Sequence, residues 1–359
     1  PMAGVAVALE ADPAAAANSA FAVDLYGSLR ERPGNLFFSP YSVATALAMT
    51  VEGARGETEE QMERVLHSAE LTAADHAALV AGLVPGRVRD GFGEEAEEVP
   101  AFELDVANAV WVQEGLEIET RFAATLASEF GAPPRRLDFR HTEEARSTIN
   151  AWVEEQTRDR IQDIVPAGMP TSDTRLTLAN AIWFKAAWAQ PFEEDATRPG
   201  DFTTDDGGTV EAPFMHRTGE LRYAENERVQ VVEIPYRVGE TSMVVVLPRK
   251  RNGLAEVEAE LDVETLDAWS SALGPRRVSL KLPKFEVTQA TELTSVLASL
   301  GMPKAFEAGA ADFTGITTEE PLFIGAVLHK AFVEVDEAGT EAAAATVVMM
   351  SKASIAPGE

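Results

Sequence analysis

The chain has 359 residues, 45% of them apolar and 25% charged, the balance of a globular protein with a sizeable core. Its 59 acidic residues against 30 basic ones leave a formal charge of −29, which argues against nucleic acid and against an anionic membrane surface as partners. With no cysteine it has no disulfide, thiol nucleophile or thiolate metal site.

No apolar run reaches transmembrane length, Pro1 to Ala17 lacks the basic n-region of a signal peptide, and no Asn-x-Ser/Thr sequon occurs. In chain order, Ala14 to Leu29 predicts a helix through Ala17, Phe21, Leu25 and Leu29. Asn35 to Phe38 predicts a short strand. Ser39 then caps a helix with Pro40 in its first turn, burying Val43, Leu47 and Val51 and ending near Gly53. Thr58 to Gln61 reads as a capping box for the next helix, with Met62, Val65 and Leu66 inward. Strands are expected at Ala101 to Val112, Arg136 to Phe139 and Thr174 to Phe184, and helices at Glu119 to Phe130 and Thr142 to Ile161. Short strands fill Asp201 to Leu247, with Val229 to Ile234 and Met243 to Leu247 as a core hairpin. Leu254 to Leu273 reads as helix, Val278 to Val287 as strand and Thr291 to Leu300 as helix closed by Gly301. Pro321 to Val335 is a long apolar run, a buried strand. Mixed elements without a repeat or linker predict one intertwined α+β domain.

The next segment, Glu337 to Ala353, is ambiguous by itself. Small residues fill Gly339 to Ala345, and proline is absent until Pro357, so every amide is free to join a sheet. Alternate positions Thr340, Ala342, Ala344, Thr346, Val348 and Met350 would give a strand face that is small first and apolar later. The same alanines favour a helix or a tail.

Catalytic and metal chemistry find little support. The five histidines, His67, His76, His141, His216 and His329, show no metal spacing, and there is no nucleophile elbow or phosphate loop. Gly91-x-Gly93-x-x-Ala96 imitates a dinucleotide fingerprint, but acidic residues follow it. The acidic run at Glu94 to Glu98 reads as a solvated loop. No cofactor, metal or enzymatic activity is expected. Two polar residues do stand out on apolar strand faces: Asn180, among Leu176, Leu178 and Ile182, and His329, among Val327, Ala331 and Val333. A buried polar group needs a partner, and these two are expected to bridge neighbouring central strands.

Several segments, in order and nearly spanning Ala14 to Ala353, resemble the serpin family. Asn35-Leu-Phe-Phe-Ser-Pro-Tyr-Ser-Val-Ala44 is similar to the segment leading into its second helix. Ala179-Asn-Ala-Ile-Trp-Phe-Lys185 onward to Phe192 resembles the strand that ends at the family's breach tryptophan, here Trp188. Ala311-Asp-Phe-Thr-Gly-Ile316 and His329 to Thr340 resemble a sheet strand and the loop hinge.

The resemblance implies an α+β fold of three β-sheets and eight or nine helices, in a bacterial inhibitory member acting as a monomer. It implies a reactive-centre loop able to insert into the central sheet, and a protease trapped as an acyl-enzyme when that happens. It assigns Ser39, Ser42, Asn180 and His329 to a shutter, and Trp188, Lys284 and Glu337 to a breach. The hinge comprises Glu337, Gly339, Thr340, Ala342, Ala343, Ala344, Ala345 and Thr346; Ala338 departs from the family's charged residue, and Glu341 is expected to face outward. Small hinge residues favour an inhibitor over a non-inhibitory binding or chaperone-like member. Family spacing puts the reactive bond at Ala353–Ser354, with Lys352 as runner-up and Met350 a poorer fit. The implied target is a chymotrypsin-, elastase- or subtilisin-like serine protease, met outside the cell. Family members continue into a segment that completes the core barrel. This chain stops at Glu359, for which the readings are a loop-cleaved form whose own C-terminal fragment is a separate chain, simple omission of that segment, or an end in disorder. The cleaved form would place Thr340 to Met350 inside the central sheet as a strand, an uncleaved one in an exposed loop.

Overall fold

In the computed structural model, residues 12–82, 87–90, 97–100, 102–204, 207–237 and 241–353 are described. The start of the chain, the Gly91 to Ala96 segment and Ser354 lie outside them. Helix α1, Pro13–Leu29, starts where the Asp12 carboxylate accepts from the amides of Ala14 and Ala15. Helix α2, Pro40–Val51, is capped as expected, with the Ser39 hydroxyl accepting from the Ser42 amide. Then follow α3 Gly56–Val65, α4 Ala73–Gly82, α5 Thr120–Ser128 and α6 Thr142–Gln156. Helices α7 Leu254–Glu258, α8 Val263–Ala272 and α9 Thr294–Leu300 complete the nine among the described residues.

The strands are β1 Arg87–Asp90, β2 Glu97–Pro100, β3 Glu103–Gln113, β4 Arg135–Leu137, β5 Thr174–Ala187, β6 Arg198–Thr203 and β7 Thr209–Glu225. After them come β8 Val229–Pro235, β9 Ser242–Pro248, β10 Gly274–Pro283, β11 Phe285–Glu292, β12 Leu322–Val335 and β13 Gly339–Lys352. They form three sheets among the described residues: a β1-β2 hairpin, a five-stranded sheet ordered β10-β7-β8-β9 with β6 also on β7, and a six-stranded sheet ordered β11-β12-β13-β5-β3-β4.

The ambiguous segment is thus β13, a central strand bonded antiparallel to β12 and β5 along nearly its whole length. Pairing on both edges and burial on both faces override the helix preference of its alanines. One face packs with Phe21, Leu25, Val43, Leu47 and Leu178, and receives Val348 and Met350. The other packs with Trp111, Phe139, Ile149, Val153 and Trp183, and receives Val347 and Met349. Each of these four side chains is worth about 1.5–3 kcal/mol when fully buried. A third core, holding Trp188, Phe192, Ile234, Tyr236 and Val335, joins the two large sheets.

Several boundaries differ from expectation. Asn35 to Phe38 is irregular. Thr58 lies inside α3 rather than capping it; it is fully buried, and its hydroxyl accepts from the Asp312 amide. Gly53 follows α2 because of close packing: a Cβ there would lie 2.1 Å from the Ile316 side chain. The apolar run Val278 to Val287 is two strands in two different sheets, broken at Lys284 after Pro283, which has no amide to donate. Residues 254–273 likewise split into α7 and α8.

Candidate functional site

The break at Lys284 delivers a cation to the turn that opens β13. In that turn the Asp336 carboxylate accepts from the Ala338 and Gly339 amides at 2.8 and 3.0 Å. Glu337 accepts from Lys284 Nζ at 2.6 Å on one oxygen and from the Thr197 hydroxyl at 2.7 Å on the other. Burial opposes ionisation of Glu337, but these hydrogen bonds outweigh it and hold the carboxyl below its usual range. The same bond raises the Lys284 ammonium. Trp188, fully buried and stacked on Tyr236 with ring centroids 4.9 Å apart, donates its indole N–H to the Asp336 carbonyl at 2.9 Å. Trp188, Lys284 and Glu337 therefore converge on one turn.

Only glycine fits at the first position of β13. A Cβ on Gly339 would lie 2.1 Å from the Ala186 carbonyl oxygen. Thr340 follows, its hydroxyl accepting from the buried Tyr236 phenol at 2.9 Å. Ala343, Ala344 and Ala345 are buried and Ala342 half-buried, so larger side chains have no room beside the flanking strands. Glu341 does not face solvent as expected. Its side chain is only 14% exposed and pairs with Arg160 at 2.6 Å.

Deeper in the sheet, Thr346 lies directly opposite His329 on one side and Asn180 on the other. The Ser39 amide donates to His329 Nε2 at 3.0 Å, which places the ring hydrogen on Nδ1, 2.8 Å from the Thr346 hydroxyl. Thr346 and Ser42 share a further hydroxyl bond at 3.0 Å. His329 is a neutral imidazole: burial pushes its pKa down to about 4, outweighing a backbone hydrogen bond to Ala345. Being sealed from solvent, it has no route to a substrate, and the relay of hydroxyls and imidazole holds strands rather than moving protons to a ligand.

The expected Asn180–His329 bridge is not formed. β13 lies between their strands and sets them two strand spacings apart, about 9.5 Å. Asn180 turns the other way and donates to Asn108 Oδ1 at 2.9 Å, and Asn108 donates to the Phe130 carbonyl. Asn180 Oδ1 is buried without a partner among the described residues.

Ala353, the last described residue, lies about 45 Å from Gly339, at 3.3 Å rise per residue. Its amide donates to the Pro321 carbonyl at 2.8 Å. Lys352 donates through its amide to the Asp173 carbonyl at 3.0 Å, and its ammonium lies 3.3 Å from the Asp173 carboxylate. Met350, the poorer candidate, is fully buried. Sequence reading missed Thr346 as the partner of His329, and Tyr236, Thr197, Asn108 and Arg160 altogether. The signal for Thr346 was its place on the Thr340–Met350 face, 17 residues from His329, on the strand that follows it across a tight turn.

A family model described as Serpin (serine protease inhibitor) matches residues 16–358. An uncharacterized serpin-like protein of Thermococcus kodakarensis is 38% identical over 340 residues, covering 94% of this chain and 76% of that protein. The leukocyte elastase inhibitor of Sus scrofa is 36% identical over 355 residues, covering 96% and 91%. Among solved structures, "Cleaved Serpin 42Da" superposes with a TM-score of 0.85 at 34% identity, covering 94% of this chain and 89% of that one.

Proposed function

Since the chain belongs to the serpin family, which comprises many protease inhibitors and no enzymes, we propose that it is a suicide inhibitor of serine proteases. The target attacks the exposed loop as a substrate and forms an acyl-enzyme at Ala353, releasing Ser354 as the new amine terminus. The freed strand then enters the central sheet and carries the protease to the far pole before deacylation. Serpin loop insertion is a recognised case of strand addition that releases stored strain.

One observation carries this reading: Gly339–Lys352 fits between β12 and β5 without a bulky, charged or proline residue in the hinge except Glu341, which has its own counter-ion. Alanine before the reactive bond favours a target with a small specificity pocket, elastase- or subtilisin-like, over the trypsin-like one that Lys352 would attract. The acidic composition and the family favour an extracellular role, and the alanine, arginine and glutamate bias favours a bacterial source.

A C-terminal segment is proposed to complete the five-stranded sheet. β9 is an edge strand among the described residues, and its Val244 and Leu247 are 48% and 57% exposed. An apolar edge of that kind suits a further strand.

The test is incubation with elastase-, subtilisin-, chymotrypsin- and trypsin-like proteases, followed by denaturing gels. A covalent band larger than either partner is expected with at least one. Clean cleavage without such a band for every protease would overturn the inhibitor reading.

A further inference from the structure

Insertion of β13 completes a row of charges across the central sheet. Directly opposed positions run from Glu286 on β11 through Glu334 on β12, Glu341 on β13 and Lys185 on β5 to Glu103 on β3. Like charges directly opposite one another destabilise a strand pair. Glu341 arriving beside Glu334 therefore meets a repulsion that the alanines and threonines of the hinge do not.

Lys185 answers Glu341 from within the sheet on the β5 side. On the β12 side, between Glu341 and Glu334, the compensating cation comes from outside the sheet. After α6 the chain crosses above these strands, with Arg158, Asp159 and Asp163 at φ of 50°, 63° and 48°, a region that non-glycine residues seldom occupy. From this crossing Arg160 reaches down between the two carboxylates. Its Nε is 2.6 Å from Glu341 and its Nη2 3.5 Å from Glu334, with the guanidinium 4.9 Å over the Phe332 ring. The Trp183 indole donates to the same Glu341 oxygen at 3.3 Å, and Lys185 Nζ lies 3.5 Å from the other. Arg158 serves the opposite flank. It pairs with Glu103 and Asp105 at 2.9 Å each and lies 3.5 Å above the Trp183 ring. One cation of the crossing thus stands on each side of the entering strand.

We propose that Arg160 is the docking residue for the incoming loop: it captures Glu341, two positions behind the leading Gly339, and cancels the Glu334–Glu341 opposition that insertion creates. The proposal rests on loop insertion as read above, and it deepens that reading. Because Glu341 enters early, Arg160 acts while the acyl-enzyme is still intact. It sets the speed of insertion against deacylation, and so the division between trapped and released protease.

Stopped-flow tryptophan fluorescence at saturating subtilisin-like protease reads the insertion rate whether or not protease is trapped, since Trp183 touches Glu341. Arg160→Ala is expected to slow insertion roughly fivefold, the scale of a partly exposed ion pair. In a Glu341→Gln background the same substitution is expected to change the rate by less than about twofold, because the repulsion is gone. Arg160→Lys is expected to recover part of the loss. An unchanged rate in Arg160→Ala, or an equal loss in the Glu341→Gln background, overturns the proposal. If wild-type chain is cleaved without any insertion phase, the insertion reading falls and this proposal with it. If it inserts but traps no protease, only the inhibitor reading falls, and the Arg160 comparison still decides.

Discussion

His329 and Thr346 face each other across β12 and β13 with imidazole Nδ1 2.8 Å from the hydroxyl, a contact that exists only with β13 in place. The histidine's other nitrogen is held by the Ser39 amide at the start of α2, so helix, old strand and inserted strand meet at one ring.

That meeting is expected to make the inserted sheet sensitive to acid. His329 titrates at about 4 when buried here, against about 6.5 when free. The folded chain therefore binds fewer protons than the unfolded one across that interval. The stability His329 contributes is complete above about pH 6.5 and is lost as pH falls toward 4, at up to about 1.4 kcal/mol per pH unit. The melting temperature of the inserted chain between pH 7.5 and 4.5 is the measurement. Wild type is expected to lose more than His329→Gln; parallel curves would refute the assignment.

Removing the hydroxyl tests the same contact from the other strand. Thr346→Val keeps the shape but leaves His329 Nδ1–H and Ser42 without their partner in a fully buried place. A cost of about 1–3 kcal/mol is expected. Denaturant midpoints at unchanged slope measure it, and Thr346→Ser is expected to restore most of the loss.

The sequence announced the polar intruders but not their partners. Asn180 and His329 were visible because a period of two sets each among aliphatic neighbours on its own strand. Pairing between strands is not a local property: with β13 inserted, the two lie two strands apart, and each turns to a residue found only through register, Asn108 and Thr346. The run Val278 to Val287 concealed a change of sheet because apolar residues resume directly after Lys284. The signals were the absent amide of Pro283 and the shift of the apolar phase from Val278, Leu280 and Leu282 to Phe285 and Val287. Arg160 carried no signal at all, since a surface arginine after a helix acquires meaning only from the carboxylates beneath it.

The Lys284–Glu337 pair anchors the turn before β13. Glu337→Gln keeps the Thr197 contact and removes the charge that Lys284 answers. With Lys284 37% exposed, solvent screens the pair, and a loss of about 1 kcal/mol is expected. The carboxyl's pKa is depressed, so the wild-type advantage is present above the ordinary glutamate range and fades as pH falls below it. Unfolding midpoints of wild type and variant that stay equally far apart at pH 7 and at pH 3 would contradict this.

If the chain inhibits as proposed, Thr340→Arg is expected to make it a substrate. Thr340 is 6% exposed, accepts from Tyr236 and sits opposite Val335 and Ala186 as the second residue of the strand. An arginine there would bury a guanidinium beside the Trp188–Tyr236 stack, a penalty of several kcal/mol at the first step of insertion. Cleavage needs only the exposed far end of the loop, so attack by the protease proceeds as before while deacylation overtakes the stalled strand. On denaturing gels the covalent band is expected to give way to cleaved chain and free, active protease, with the stoichiometry of inhibition rising at least severalfold. An unchanged stoichiometry would mean that the leading end of β13 does not enter the sheet during inhibition.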